Sequence, residues 1–161
     1  MSLIAPKTVL ISLSDKSHLD KLISFLITQK VKIISTGGTF NAIKELTDEV
    51  LEVSEFTGFE EMMDGRVKTL HPKIHAGILA RRETDLEVLT DRGFEVIDMV
   101  IVNLYPFQET IASGCSFEEA IEKIDIGGPT MIRAAAKNFK DVAVISDPND
   151  YNQLMEEWKG H

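Results

Sequence analysis

Short runs of aliphatic and β-branched residues alternate along this chain with segments of helical periodicity, and that alternation constrains the fold most strongly. Thr8-Val9-Leu10-Ile11-Ser12 reads as a first strand, after which Leu19, Leu22, Ile23 and Leu26 recur at the spacing of one helix face. Val31-Lys32-Ile33-Ile34-Ser35 is a second strand, followed by a helix through Phe40, Ile43 and Leu46. A weaker strand covers Val50 to Val53. An irregular middle then leads to two further buried strands, Met99-Val100-Ile101-Val102 and Val142-Ala143-Val144-Ile145. A closing helix runs through Tyr151, Leu154 and Met155. The pattern predicts an α/β fold, doubly wound, with a mainly parallel sheet flanked by helices.

At 161 residues the chain is the size of one ordinary domain, and the expectation is a single domain over 1–161. There are no internal repeats and no low-complexity linker. Seventeen basic against 26 acidic side chains give a net charge of -9, so the average surface repels nucleic acid and anionic membrane. A small anionic ligand is still allowed, because it responds to the local field of a pocket. Cys115 is the one cysteine, in Ala112-Ser113-Gly114-Cys115-Ser116, and reads as part of a loop before a helix. A reducing cytoplasm fits this usage. No apolar run is long enough to span a bilayer, and the first residues lack a signal-peptide pattern. Met1-Ser2-Leu3 and Gly160-His161 carry no weight in this reading.

In a doubly wound sheet, ligands sit beyond the carboxyl ends of the strands. Ser12 to Lys16, Ser35 to Thr39, Asn103 to Phe107 and Ser146 to Pro148 follow strands, and the irregular segments 58–79 and 124–138 complete the candidate site. Ser35-Thr36-Gly37-Gly38-Thr39 joins a strand to a helix; its glycines admit close approach of an anion to unpaired helix N–H groups. The hydroxyls of Thr36 and Thr39 are candidate extra donors, and a plain glycine turn with a threonine cap is the competing reading. No Walker lysine and no dinucleotide fingerprint accompanies it, so neither ATP nor NAD is indicated. Lys16 adds a cation at the same sheet edge. Arg66 and Lys68, two apart, face one side if their segment is extended. Arg66 suits bidentate contact with phosphate, and Lys68 is a point charge able to serve chemistry.

Asp125-Ile126-Gly127-Gly128-Pro129-Thr130 ends a loop and opens a helix, with Pro129 suited to its first position. Two glycines before that proline leave Asp125 less obviously a cap and freer to act as a base. Arg133 and Lys137 share a helix face, and Lys137 stands about 12 Å along the axis from the helix start. Asn103 and Tyr105 follow the strongest central strand, where they can hydrogen-bond a planar heterocycle; tyrosine there is by default a packing residue. His71 and His75 have metal-ligand spacing, but Pro72 lies between them and no third ligand is near, so structural histidines are expected and no metal.

The stretch Met62-Met63-Asp64-Gly65-Arg66-Val67-Lys68-Thr69-Leu70-His71-Pro72-Lys73-Ile74-His75 resembles the signature of the IMP cyclohydrolase domain of bifunctional AICAR transformylase/IMP cyclohydrolase. Ser12 to Lys16, Ser35 to Thr39, Asn103 to Phe107 and Asp125 to Asn138 match that family in the same order. The resemblance implies a methylglyoxal-synthase-like fold, a place in purine biosynthesis, and ring closure of a formamidoimidazole-carboxamide ribonucleotide to IMP without metal or organic cofactor. It further implies a homodimer and a transformylase domain in the full-length family protein; that second domain is absent from this chain. By resemblance, Ser12, Lys16, Thr36, Gly37, Arg66 and Thr69 hold the 5′-phosphate. Lys68, Asn103, Tyr105, Asp125, Gly127 and Lys137 surround the base, with Lys68, Tyr105, Asp125 and Lys137 as the catalytic set and Asp125 brought together with Lys137.

Two rival readings remain. Methylglyoxal synthase shares the fold, but the chain carries no Gly-Pro-x-Gly-Gly-Asp segment of the kind that family has. A non-catalytic nucleotide-binding regulatory module would keep the phosphate site and leave Asp125 and Lys137 without use.

Overall fold

The computed structural model describes residues 5–159; the chain ends set aside above lie outside them. The chain runs β1 (Thr8–Ser12), α1 (Leu19–Thr28), β2 (Lys32–Ser35), α2 (Gly37–Lys44), β3 (Val50–Glu52) and α3 (Val53–Thr57). It continues with α4 (Pro72–Leu79), α5 (Leu86–Asp91), β4 (Met99–Val102), α6 (Phe107–Ala112) and α7 (Phe117–Glu122). The last elements are α8 (Gly127–Lys137), β5 (Ala143–Ile145), a 3-10 turn at Pro148–Asp150 and α9 (Tyr151–Lys159).

The five strands lie in the order β3-β2-β1-β4-β5, and every neighbouring pair is parallel. Strand residues alternate between faces, so β1 sends Val9 and Ile11 to one side and Leu10 to the other. The Val9–Ile11 side packs on α1, α2 and α9 through Leu22, Leu26, Ile43 and Tyr151. The Leu10 side packs on α3, α4 and α8 through Phe56, Ile74, Ile78, Met131 and Ala135. Two apolar layers on one sheet explain why β1 and β4 have no polar face. The doubly wound, mainly parallel sheet expected from the sequence is the observed one.

Boundaries differ in instructive ways. The middle expected to be irregular holds α3, α4 and α5, all of eight residues or fewer and thus too short for a clear periodic signal. Helix α4 starts at Pro72, with the His71 ring accepting the Lys73 N–H at 3.0 Å. His71 therefore serves the helix start, while His75 lies within α4 with its Nδ1 3.3 Å from the His71 carbonyl. Leu46 falls outside α2 and is exposed. Val53 opens α3 instead of ending β3. Helix α8 begins at Gly127, two residues before Pro129. Its early start has a cause in the site described next.

Candidate nucleotide-binding site

Sheet order reverses direction between β1 and β4, and a cavity of about 490 Å³ opens at the carboxyl ends of β1, β2 and β4. Ser12, Lys16, Thr36, Arg66, Lys68, Thr69, Asn103, Tyr105, Asp125 and Gly127 all line it. Segments far apart in sequence are thus brought to one place by the crossovers of the sheet.

The floor is built from strand ends and the start of α2. Gly37 opens that helix at φ +58°, a conformation a side chain resists, and no side chain caps its first turn. A Cβ at Gly37 would lie 3.2 Å from Lys68 Nζ, and one at Gly38 would lie 3.9 Å from Lys16 Nζ. Two ammonium groups therefore converge where helix N–H groups point outward, an arrangement suited to an anion. Lys68, assigned by resemblance to the base, stands at this end. Thr36 and Thr39 are buried, but their hydroxyls are already engaged. Thr39 Oγ1 accepts the Leu13 N–H at 2.8 Å and donates to the Leu13 carbonyl at 3.1 Å, while Thr36 donates to Glu52 at 3.2 Å. These threonines fasten α2 to its neighbours instead of offering their hydroxyls as extra anion donors.

Asn103 behaves similarly. Its Oδ1 accepts the N–H groups of Ser14 and Asp15 at 2.6 and 2.9 Å, and its Nδ2 donates to the Asp15 carbonyl at 2.8 Å. One amide hydrogen is left for a ligand. The side chain expected to read a heterocycle mainly shapes the loop that carries Lys16.

The opposite end centres on Asp125. Its Oδ1 accepts the Gly128 N–H at 2.9 Å and its Oδ2 accepts the Tyr105 N–H at 3.3 Å. Asp125 is therefore a helix-start acceptor after all, which draws both glycines into α8 ahead of Pro129. Gly127 lies directly against Thr69 Oγ1, and a Cβ at Gly128 would meet Asp125 Oδ2 at 2.8 Å. Close packing of loop on loop accounts for both glycines. Burial, and secondarily the Asp125 charge, push the Tyr105 phenol above its ordinary range. Tyr105 thus stays protonated at neutral pH.

A match to the MGS-like domain covers residues 18–130. The chain belongs to the MGS-like domain family. It is 56% identical over 153 residues to the bifunctional purine biosynthesis protein PurH of Fusobacterium nucleatum subsp. nucleatum, covering 94% of this chain and 30% of that protein. PurH of Clostridium acetobutylicum is 54% identical over 153 residues, covering 94% of this chain and 31% of its own length. The crystal structure of ForH superposes with a TM-score of 0.80 at 34% identity, covering 95% of this chain and 80% of ForH. The chain spans about 30% of the length of the curated relatives it matches.

Within this MGS-like fold the candidate segment Ser146 to Pro148 and two residues assigned by resemblance lie apart from the cavity lining. Gly37 is not among the lining residues, although it lies close to the Lys68 ammonium. Lys137 is exposed at the far end of α8 and does not line the cavity, so the convergence with Asp125 is not made within this chain. The rise of α8 from Gly127 to Lys137 is roughly 15 Å. Arg66 stands in a hairpin turn closed by the Met62–Val67 bridge, not in an extended segment, yet it and Lys68 still share the cavity. Residues not anticipated are Ile121, Glu122 and Lys123 of the outer wall. The Ser116–Glu119 capping box marks the start of α7 in the sequence, but no local pattern places that helix over the site. Among the described residues no helix is long and apolar enough to cross a membrane, and no cluster of His, Cys, Asp and Glu suits a metal.

Proposed function

We propose that this domain is an IMP cyclohydrolase, joining the two side groups of 5-formamidoimidazole-4-carboxamide ribonucleotide and releasing water. One observation carries the reading: a single cavity has two ammonium groups over a helix start at one end, and at the other the Asp125 carboxylate, which accepts the Tyr105 main-chain N–H, with Tyr105 lining the same cavity. A ribonucleotide has the same polarity, an anion at one end and a planar heterocycle at the other. Similarity to PurH over most of the chain supports the choice of a purine intermediate. In the longer relatives this unit would work beside a second catalytic portion, in the cytoplasm.

The attacking carboxamide nitrogen and the formyl carbon belong to one molecule. Anchoring the phosphate and holding both groups in plane removes much of the entropic barrier. As the C–N bond forms, the amide nitrogen releases a proton, and each Asp125 oxygen retains a lone pair to receive it. The formyl oxygen takes up a proton and becomes the hydroxyl of a cyclic carbinolamine. Tyr105 suits that donation. Departure of the hydroxyl as water uses a second proton, matched by the one the formamido nitrogen loses as its C=N bond closes. Lys68, with Lys16, supplies the positive field that orients the anion.

The test is ultraviolet-monitored conversion of the formylated ribonucleotide to IMP by this chain alone. Turnover supports the reading. Tight IMP binding with no turnover would favour the non-catalytic module.

A further inference from the structure

We propose that Glu122 is a built-in competitor for Arg66: its carboxylate occupies the guanidinium until a phosphorylated ligand displaces it. The proposal rests on the nucleotide reading of the cavity. Arg66 Nη2 lies 3.7 Å from Glu122 Oε1, and both residues line the cavity. That separation exceeds a hydrogen bond, so the pair is electrostatic and unlocked. Both side chains are 63% exposed, which keeps the interaction weak and exchangeable.

The other cavity cations are treated differently. Lys16, Lys68 and Lys123 have no ion-pair partner among the described residues, whereas Arg66 does. Lys123 lies over the Tyr105 ring, Lys16 and Lys68 stand ready at the start of α2, and the guanidinium is masked. A phosphate dianion arriving at the lysines attracts Arg66 about twice as strongly as one carboxylate at equal distance. Both partners have room to exchange. Arg66 sits in the 62–67 hairpin, whose Met63 and Asp64 are held at φ +57° and +54°. Glu122 ends α7, a helix with no buried residue. Binding of phosphate thereby releases the outer wall from the hairpin.

Calorimetric titration with IMP and with inosine, which lacks the phosphate, tests this. Glu122→Gln is expected to bind IMP about two- to fivefold more tightly and to leave inosine affinity unchanged. Arg66→Ala is expected to weaken IMP about tenfold, and the gain from Glu122→Gln should shrink in that background. Equal or weaker IMP binding by Glu122→Gln, with Arg66→Ala still impaired, overturns the competition and leaves the nucleotide reading intact. A gain of undiminished size beside Arg66→Ala, or one shared by inosine, would mark general charge repulsion and overturn it too. If Arg66→Ala binds IMP as tightly as the parent, both the competition and the place of Arg66 in the nucleotide site are wrong.

Discussion

The two sides of the cavity are built on opposite principles. The floor consists of strand ends and the start of α2, where Ser35, Thr36 and Thr39 are all buried. Its hydroxyls tie neighbouring segments together across the sheet, as in the Thr39 bonds to Leu13 and the Ser35 bond to Ile11. The outer wall, from Leu104 to Ile126, contains α6 and α7, and neither helix buries a single residue. Leu104, Phe107, Ile111, Phe117 and Ile126 there are exposed. A fixed floor suits recognition of an anion that does not change during a reaction. A loosely attached wall suits admission of substrate and exit of product. Asp125 and Tyr105 stand where the two meet.

The sharpest way to break this comparison is at that junction. Asp125→Asn keeps an oxygen able to accept the Gly128 N–H but removes the proposed proton acceptor. Turnover should fall by about 10²–10⁴, with little change in melting temperature. Asp125→Ala should lose the same activity and also about 0.5–2 kcal/mol of stability, seen in denaturant unfolding. Near-normal turnover of the asparagine variant would leave Asp125 as only a helix-start acceptor.

The floor is tested next by its cations. Lys16→Met and Lys68→Met each remove an ammonium from the start of α2 while keeping an unbranched apolar stem. Loss of one charge-assisted contact should weaken IMP binding about 10- to 100-fold, measured by calorimetry. A large loss at Lys68 in turnover, with IMP affinity unchanged, would instead return that residue to the base end, where the resemblance put it.

How far the sequence foretold this division follows from distance along the chain. Apolar alternation located the strands and the sheet, because those signals sit within a few residues. Helix-start glycines and strand-end cations likewise pointed to an anion floor. Roles decided by partners far away were read less well. Thr39 meets Leu13 across 26 positions and Asn103 meets Ser14 across 89, so hydroxyl and amide groups available on paper are engaged in the fold. The Asp125 bond to Gly128 spans only three positions, yet it depends on a loop shape that no periodicity announces. Glu122 was silent for the same reason: its helix is legible, its place over Arg66 is not.

Smaller effects sharpen the picture of a rigid floor. Thr39→Val preserves shape but deprives the buried Leu13 N–H of its acceptor. A loss of about 1–2 kcal/mol in denaturant unfolding is expected. An equivalent change on the outer wall, Thr110→Val, removes no buried partner and should stay within about 0.5 kcal/mol. Equal costs at the two sites would erase the contrast.

The smallest expected effect lies behind the floor, at Tyr151. Its ring is buried against α1 and β1, and its hydroxyl has no hydrogen-bond partner among the described residues. Burial first, then the charges of Asp15 and Asp147, push its phenol up to about 12. The unfolded chain would ionise nearer the ordinary value of 10. Between those values the unfolded state gives up its proton first, so stability is whole below about pH 10 and declines as pH rises towards 12. Tyr151→Phe retains the ring and removes both the unpartnered hydroxyl and its titration. At neutral pH it should change stability by less than about 0.5 kcal/mol. In the alkaline window it should unfold less readily than the parent chain, as followed by melting temperature against pH. A parallel decline in both proteins would mean that water reaches the phenol, and that the back of the floor near Asp15 is open.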